Sequence, residues 1–527
     1  MWFASPPGYY ANHTRAEARA QLASLERFSR LLGSFPKASW PTSAAGADVH
    51  PVWGHAAPAV AGYAKLARLL VEEEVKRVRV WNDPLGDANA GAAPPAAAPW
   101  AELVPLAWQV DPRLALALRD RFPSLEGVRR GLEALVVAHA AEPRVQREPA
   151  AALLLAVARP PPRGPPLLPL LAAWAPGDAA EGLQLLCGPA AREPAVRSYA
   201  IKCLLNERPE KVVFYLPQLV QLLRGDDGAV AGFFAAAAAA SDLFCHQLIW
   251  ALASEARPPE EAFDPEVKRS GWQPPKDTGL WEVSQAVRRQ IEAGMTREQR
   301  EYWEAQGGYF DKVTSLSGYL YKFSKDERRL RLVEALKKFS PPRDDLYMPT
   351  NPDARVLGHI PESGACMQSA AKARPRALSL IARPGWDGRG ASGRDSCCAH
   401  GKAAPLVPIL VAFNVERPQL VEGAAAAAAL AAPSGGGGGE GGDGGPAMVR
   451  SKLACIFKVG DDVRQDVVAL QVITLLHAAY KRAGLGLYLR PYGCLPTGYE
   501  CGIIECVPNC KSRAALGELS DRPATGL

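Results

Sequence analysis

The sequence predicts an α+β protein of several domains: a helical array followed by a mostly antiparallel sheet with one helix packed on it. Three observations carry that expectation. Apolar residues recur at helical spacing from about residue 60 to 339, short β-type runs replace them after Pro341, and one strong helical pattern at 462–482 stands among those runs. At 527 residues the chain is long enough for about two to four domains, each with its own core.

In chain order, residues 16–32 read as a helix followed by Pro- and Trp-containing loops, and 60–76 as a second helix. A Pro/Ala linker at 90–99 precedes helical spacing through Trp108, Leu114, Leu116 and Leu118 to Val137. The break ARPPPRGPP, 158–166, precedes a Leu-rich segment at 167–174 that reads as another buried helix. The clearest array is 194–252. There VRSYAIKCLL reads as one helix, PEKVVFYLPQLVQLLR as a second with Pro209 in its first turn, and the Ala-rich stretch ending FCHQLIWAL as a third. Stacked helix pairs of this kind make an α-solenoid. Helical stretches at 279–304, with a break at Gly294, and at 325–339 close the helical part. In the latter, KDERRLRLVEALKK interleaves acids and bases as a solvated helix face does.

The β-type runs are LYMP, ARVLGHI, VPILVAFNV, ACIFKV, LGLYLRPY and CGIIECV. Two insertions interrupt them. Residues 373–406 lack periodicity, and 422–446 join an alanine run to SGGGGGEGGDGG. Neither can bury enough apolar surface to offset its ordering entropy, so both are expected to be disordered loops that leave VPILVAFNV and ACIFKV as neighbours in one sheet.

A net charge of +6 is small for this length and does not argue for nucleic acid, although it suits an anionic membrane surface. No run approaches the roughly 18 to 20 apolar residues of a membrane span, so membrane contact is expected to be peripheral. Eleven cysteines without a CxxC fit a reduced intracellular setting. Cys494, Cys501, Cys506 and Cys510 are unevenly spaced in an apolar segment and read as packing residues rather than zinc ligands. His246, within an apolar helical run, reads as a core residue.

The segment ACIFKVGDDVRQDVVALQVITLL, 454–476, carries the chemistry. A strand delivers Lys458 on one face, a Gly-Asp turn reverses the chain, and a helix beginning near Asp462 carries Asp466 one turn in. Such an arrangement lets a lysine reach nucleotide phosphate oxygens while a carboxylate on the adjoining helix holds its ammonium.

The string FKVGDDVRQD followed by a helix of the ALQVI type resembles the signature of the phosphatidylinositol 3- and 4-kinase superfamily, which shares the bilobal kinase fold. The segment LRPYGCLPTGYECGIIECVPNCKSRAALGELSD, 489–521, resembles the same superfamily through the linker between its lobes, and SGACMQSAAKA, 363–373, resembles the phosphate-covering loop of the 4-kinases. The segments VRSYAIKCLLNERPEKVVFYLPQLVQLLRGDD, YFDKVTSLSGYLY and LYMPTNPDARVLGHIPESG are most similar to type III alpha phosphatidylinositol 4-kinases.

That resemblance implies an N-terminal segment at 1–102, an accessory helical domain at 103–340, a kinase N-terminal lobe at 341–521 with the two insertions, and an unrelated tail at 522–527. It implies ATP as cofactor, with nucleotide contacts from Lys458, Asp461, Asp466, Tyr492, Ile504, Glu505, Val507, Ser369 and Lys372. Asp466 orients Lys458, Tyr492 lies beside the adenine, and the backbone at Glu505 and Val507 hydrogen-bonds it. Ser369 and Lys372 sit on the phosphate-covering loop, which in the family runs almost directly into a strand and here meets an insertion. The implied setting is cytoplasmic and peripheral to membranes, the plasma membrane in particular, with phosphatidylinositol as substrate, regulatory scaffold proteins as partners and no nucleic acid. The family also uses Mg2+, held with the catalytic loop in its second lobe on DFG-type and DRH-type strings. Neither string occurs in these 527 residues, so no catalytic or metal-ligating residue is assigned and the chain alone is expected to be inactive. The competing readings are a phosphatidylinositol 3-kinase-related kinase and a non-catalytic helical scaffold.

Overall fold

The computed structural model describes residues 15–33, 57–82, 100–157, 167–255, 279–367, 407–418, 448–482, 485 and 487–510. Both predicted insertions, 373–406 and 422–446, fall outside the described residues. The contacts group the chain into two compact units, Met1–Glu207 with Leu475–Leu489, and Arg208–Thr474 with Arg490–Leu527.

The described part of the first unit is helical. It holds α1 (Arg15–Gly33), α2 (Ala57–Asn82), α3 (Trp100–Val110), α4 (Pro112–Arg121), α5 (Glu126–His139), α6 (Pro143–Gln146), α7 (Pro149–Val157), α8 (Ala179–Cys187) and α9 (Pro194–Asn206). Local signals set the ends of these helices. Asp111 caps α4 by accepting from the Arg113 N–H, with Pro112 at the first helical position, and Asp178 with Glu181 forms a capping box on α8. Val128, Leu132 and Val136, four apart on α5, are fully buried, as helical periodicity requires. The Leu-rich segment at 167–174 is a 3-10 helix, Leu168–Ala173, rather than an α-helix.

The second unit begins with helices and ends in a sheet. PEKVVFYLPQLVQLLR is not one helix. It divides into α10 (Pro209–Val212), a 3-10 turn, α11 (Leu216–Gln221) and a second 3-10 turn, because Pro217 has no N–H to give the Val213 carbonyl. The expected third helix is also two, α12 (Ala229–Ala240) and α13 (Asp242–Glu255), parted at Ser241, whose backbone is extended and whose hydroxyl accepts from the Phe244 N–H. Then come α14 (Gly279–Gly294), α15 (Arg297–Leu320) and α16 (Lys325–Leu336), with the expected break after Gly294.

Among the described residues the first strand is β1 (Tyr347–Met348), so the change of texture at Pro341 does mark the change of structure. It is followed by β2 (Asn351–Cys366), β3 (Ile409–Pro418), β4 (Met448–Val459), α17 (Arg464–Arg482), β5 (Cys494–Gly498) and β6 (Cys501–Glu505). All six strands join one antiparallel sheet in the order β1-β2-β3-β4-β6-β5. VPILVAFNV and ACIFKV are neighbours, in register from Ile409 opposite Phe457 to Pro418 opposite Met448. The run LGLYLRPY is not a strand in its described residues, and Pro491 there has no N–H for a ladder.

The period of two places Ile409, Val411, Phe413 and Val415 on one face of β3 and Leu453, Cys455 and Phe457 on the same face of β4. That face forms the core of the unit with Phe310 and Val313 of α15 and Leu332 and Leu336 of α16. The opposite face of β4 therefore carries Ile456 and Lys458, and α17 begins after the turn that leaves it. The β1 edge is covered. Gln306 donates to the Tyr347 carbonyl and accepts from its N–H, Gln247 donates to the Pro349 carbonyl, and His246 bonds the Tyr347 hydroxyl.

Candidate functional site

The site grows from β4 and from the turn and helix that leave its end. Lys458 is the penultimate residue of β4 and points away from the α15–α16 core. Gly460 takes φ +86, a conformation glycine enters without strain, and the N–H groups of Gly460 and Asp461 both donate to the Glu500 carbonyl. This turn brings Asp461 back over the strand, so that its carboxylate lies 3.1 Å from the Lys458 ammonium, with the two side chains 30% and 26% exposed. Helix α17 starts three residues later, and Asp466 stands exposed in its first turn.

Across the sheet, Lys458 is opposite Gly502 and Ile456 opposite Ile504, which is opposite Cys494 on β5. Directly opposed residues share a face, so Lys458, Ile504 and Cys494 lie on the side from which α17 leaves. Cβ atoms would not fit at two places. A methyl at Gly502 would come within 2.3 Å of Val463 Cγ2, and one at Gly493 within 2.4 Å of the Thr350 carbonyl oxygen. Burial pushes the Cys494 thiol up to about 12, with the Asp466 carboxylate adding to the rise and the Lys458 ammonium opposing it. Burial, Asp466 and Lys458 act with the same signs on the Tyr492 hydroxyl, which is raised. Cys494 and Tyr492 therefore lie within electrostatic reach of both Lys458 and Asp466.

The end of β6 is clasped. The Glu505 N–H donates to the Gly493 carbonyl at 2.8 Å while its carboxylate accepts from the Gly493 N–H at 3.1 Å, and the Cys506 N–H donates to the Ala454 carbonyl. Val507 comes next but one after Glu505, its carbonyl accepting from Cys510 Sγ, and no hydrogen bond from its N–H occurs among the described residues.

The structure thus brings Lys458, Asp461, Asp466 and Tyr492 together, with Ile504 on the same face and Glu505 and Val507 at the strand's exit. Ser369 and Lys372 lie outside the described residues. The ion pair formed by Lys458 runs to Asp461, three residues on, rather than to Asp466. Sequence reasoning missed Cys494, Gly493 and Gly502 as parts of this region. The glycines of GCLPTG and ECGII were visible, but only the pairing of β4, β5 and β6 shows what they make room for. The concavity between α1 and α2 is lined by charges that pair locally, Arg79 with Glu26 and Lys76 with Glu73, and is a less fitting site.

The described residues thus hold helices followed by an antiparallel sheet, with a lysine strand turning through Gly-Asp-Asp into a helix. The model of the phosphoinositide 3-kinase family accessory domain matches residues 150–273, and that of phosphatidylinositol 3- and 4-kinases matches 452–522. Over those residues the chain is similar to the phosphatidylinositol 3- and 4-kinases. Within that group it is similar to the alpha-type 4-kinases. It is 33% identical to phosphatidylinositol 4-kinase alpha 1 of Arabidopsis thaliana, over 99% of this chain and 23% of that protein. Against phosphatidylinositol 4-kinase alpha 2 of the same plant the identity is 33%, over 55% of this chain and 41% of the relative. Phosphatidylinositol 4-kinase STT4 of Saccharomyces cerevisiae is 28% identical over 65% of this chain and 15% of its own length. The chain therefore spans less than half the length of each of these relatives.

Proposed function

We propose that the protein is an alpha-type phosphatidylinositol 4-kinase, which transfers the ATP γ-phosphoryl to the inositol 4-hydroxyl of phosphatidylinositol. The observation that carries this reading is the Lys458–Asp461 pair on the open face of β4, beside Asp466, Tyr492 and the β6 exit. Similarity to a named 4-kinase along almost the whole chain supports the 4-kinase over the 3-kinase reading.

In this proposal the nucleotide phosphates displace Asp461 from Lys458, and the ammonium neutralises phosphate oxygens as charge builds on them. Asp466, in the first turn of α17, then orients the lysine. Tyr492 and Ile504 flank the adenine, while the Glu505 carbonyl and the Val507 N–H supply its hydrogen bonds. Ser369 and Lys372, which follow β2 in the sequence, are assigned phosphate contacts by the resemblance of SGACMQSAAKA to the 4-kinase loop alone. Among the described residues no three His, Cys, Asp or Glu side chains converge to hold a metal, so Mg2+ enters the proposal only as a companion of the ATP phosphates.

The domain division belongs to the same proposal, with an accessory helical domain at 103–340 and a nucleotide lobe at 341–521 that is interrupted at 373–406 and 422–446. No helix among the described residues is long and apolar enough to cross a membrane. A cytoplasmic protein that meets its lipid at the membrane surface, with scaffold partners holding it there, fits the proposed substrate. Because the 527 residues alone are expected to be inactive, the test is formation of phosphatidylinositol 4-phosphate from phosphatidylinositol vesicles, ATP and Mg2+ by the chain extended after Asp521 with a second lobe that carries the DRH- and DFG-type strings. The 4-phosphate should appear and should vanish in Lys458→Met. A product phosphorylated at another hydroxyl, or turnover that survives the substitution, would overturn the assignment.

A further inference from the structure

Asp461 and Asp466 are presented to the Lys458 strand by a turn and a helix that the sheet alone holds loosely. On α17, Leu470 is buried, but Val468, Val472, Leu475 and Leu476 are 47%, 52%, 55% and 43% exposed. Other residues grip its start. Arg464, the first residue of α17, divides its guanidinium between two carboxylates. Nε and Nη2 donate to both oxygens of Asp462 at 2.9 and 2.7 Å, and Nη1 donates to Glu255 Oε2 at 2.7 Å. Glu255 is the last residue of α13, its side chain is 11% exposed, and its other oxygen accepts from Gln221 of the α11 segment at 2.9 Å.

A carboxylate at a helix C-terminus is repelled by the partial negative charge there, so Glu255 needs a cation, and Arg464 supplies it. The Asp462 fork does the converse at the start of α17, where its Oδ1 also accepts from the Arg464 backbone N–H at 3.0 Å. Seven residues along the same helix, Gln471 donates to the Phe214 carbonyl and exchanges hydrogen bonds with Gln218 of α11 at 2.8 and 3.1 Å. A spacing of seven puts Arg464 and Gln471 on one face. That face is turned to residues 214–255, all inside the matched accessory domain.

We propose that Glu255, through Arg464, is a positioning residue for the nucleotide site. The accessory-domain helix α13 fixes where the Gly460–Asp462 turn and the first turn of α17 lie, and so how Asp461 and Asp466 meet Lys458. This inference rests on the nucleotide-site reading above. It adds that nucleotide affinity depends on a helix that does not touch nucleotide, so that whatever displaces α13 weakens the site. The low exposure of Glu255, and the second hydrogen bond its carboxylate accepts from Gln221, set this pair apart from the open surface pairs of the chain, which contribute little.

The test compares the full chain with Glu255→Gln, Glu255→Ala, Lys458→Met and, as control, Glu362→Ala, which removes an exposed pair with Lys337. A fluorescent ATP analogue gives Kd, and amide hydrogen exchange without nucleotide tracks residues 460–468. The expected result is a rise in Kd of roughly three- to tenfold for Glu255→Ala and less for Glu255→Gln, which keeps a hydrogen-bonding oxygen. Exchange at 460–468 should quicken in both while the β3–β4 amides stay protected, and Glu362→Ala should change neither reading. Unchanged Kd and exchange in Glu255→Ala, with binding lost in Lys458→Met, would overturn the positioning role and leave the site standing. Unaltered binding in Lys458→Met would instead overturn the site, and exchange at 460–468 then decides whether the clamp exists. Faster exchange throughout the unit, or an equal shift in Glu362→Ala, would mark Glu255 as merely structural and also overturn the proposal.

Discussion

Lys458 and Gly502 face each other across the β4–β6 pairing, and Val463, at the foot of α17, occupies the space a side chain at 502 would need. The glycine thus lets the helix start close above the lysine. A Cβ there would lie 3.0 Å from the Leu495 carbonyl as well as 2.3 Å from Val463, and the carbonyl is backbone that cannot rotate away. Gly502→Ala should therefore cost about 1 to 3 kcal/mol by overpacking and lift the start of α17. Thermal unfolding should show a lower Tm, and nucleotide should bind more weakly. A variant as stable as the parent would mean that α17 does not need this approach.

Gln306 acts as a substitute strand for β1, since its side-chain amide answers both the N–H and the carbonyl of Tyr347 from a fully buried position. Gln306→Leu keeps the approximate volume and leaves two backbone groups unpaired. Its expected cost is about 2 to 4 kcal/mol, read from the urea midpoint. A change within about 0.5 kcal/mol would show that water or another side chain answers Tyr347 equally well.

His246 makes the second unit sensitive to acid. Its ring stacks on Tyr302 and Trp303, bonds the Tyr347 hydroxyl, and is held down to about 4 by burial, against the pull of the Asp242 carboxylate. The unfolded chain takes up this proton near 6.5 and the folded one only near 4. Stability from this group is therefore complete above pH 6.5 and is lost as pH falls toward 4, by up to about 1.4 kcal/mol per pH unit. His246→Phe, which keeps a stacked ring, should flatten the fall in urea midpoint between pH 7 and pH 5. Identical pH slopes in the two proteins would contradict a buried neutral imidazole.

The sheet was legible because its signal is local. Alternation in VPILVAFNV and ACIFKV names the buried face of each strand, and the turn residues between Lys458 and Asp466 name the reversal. The breaks at Pro217 and Ser241 were also written locally, but the apolar periodicity on either side outweighed one missing N–H and one capping hydroxyl. Contacts between distant residues could not be read. Arg464 meets Glu255 across 209 positions and Gln306 meets Tyr347 across 41, and no spacing rule joins such pairs before the fold does. The Lys458 partner is a nearer case. A helical carboxylate was expected, and the turn brings Asp461 within reach first.

Titration of a fluorescent ATP analogue against the chain and its Lys458→Met variant decides whether the Lys458 face of β4 receives nucleotide phosphates. Methionine keeps most of the side-chain volume and removes the charge that answers phosphate, while Asp461 stays in place to repel it. Saturable binding by the parent, weakened roughly tenfold or more in a variant that retains the parent's circular dichroism and Tm, is the predicted result. Equal affinity in the two proteins would contradict it, and would place any nucleotide this chain binds somewhere other than beside Lys458.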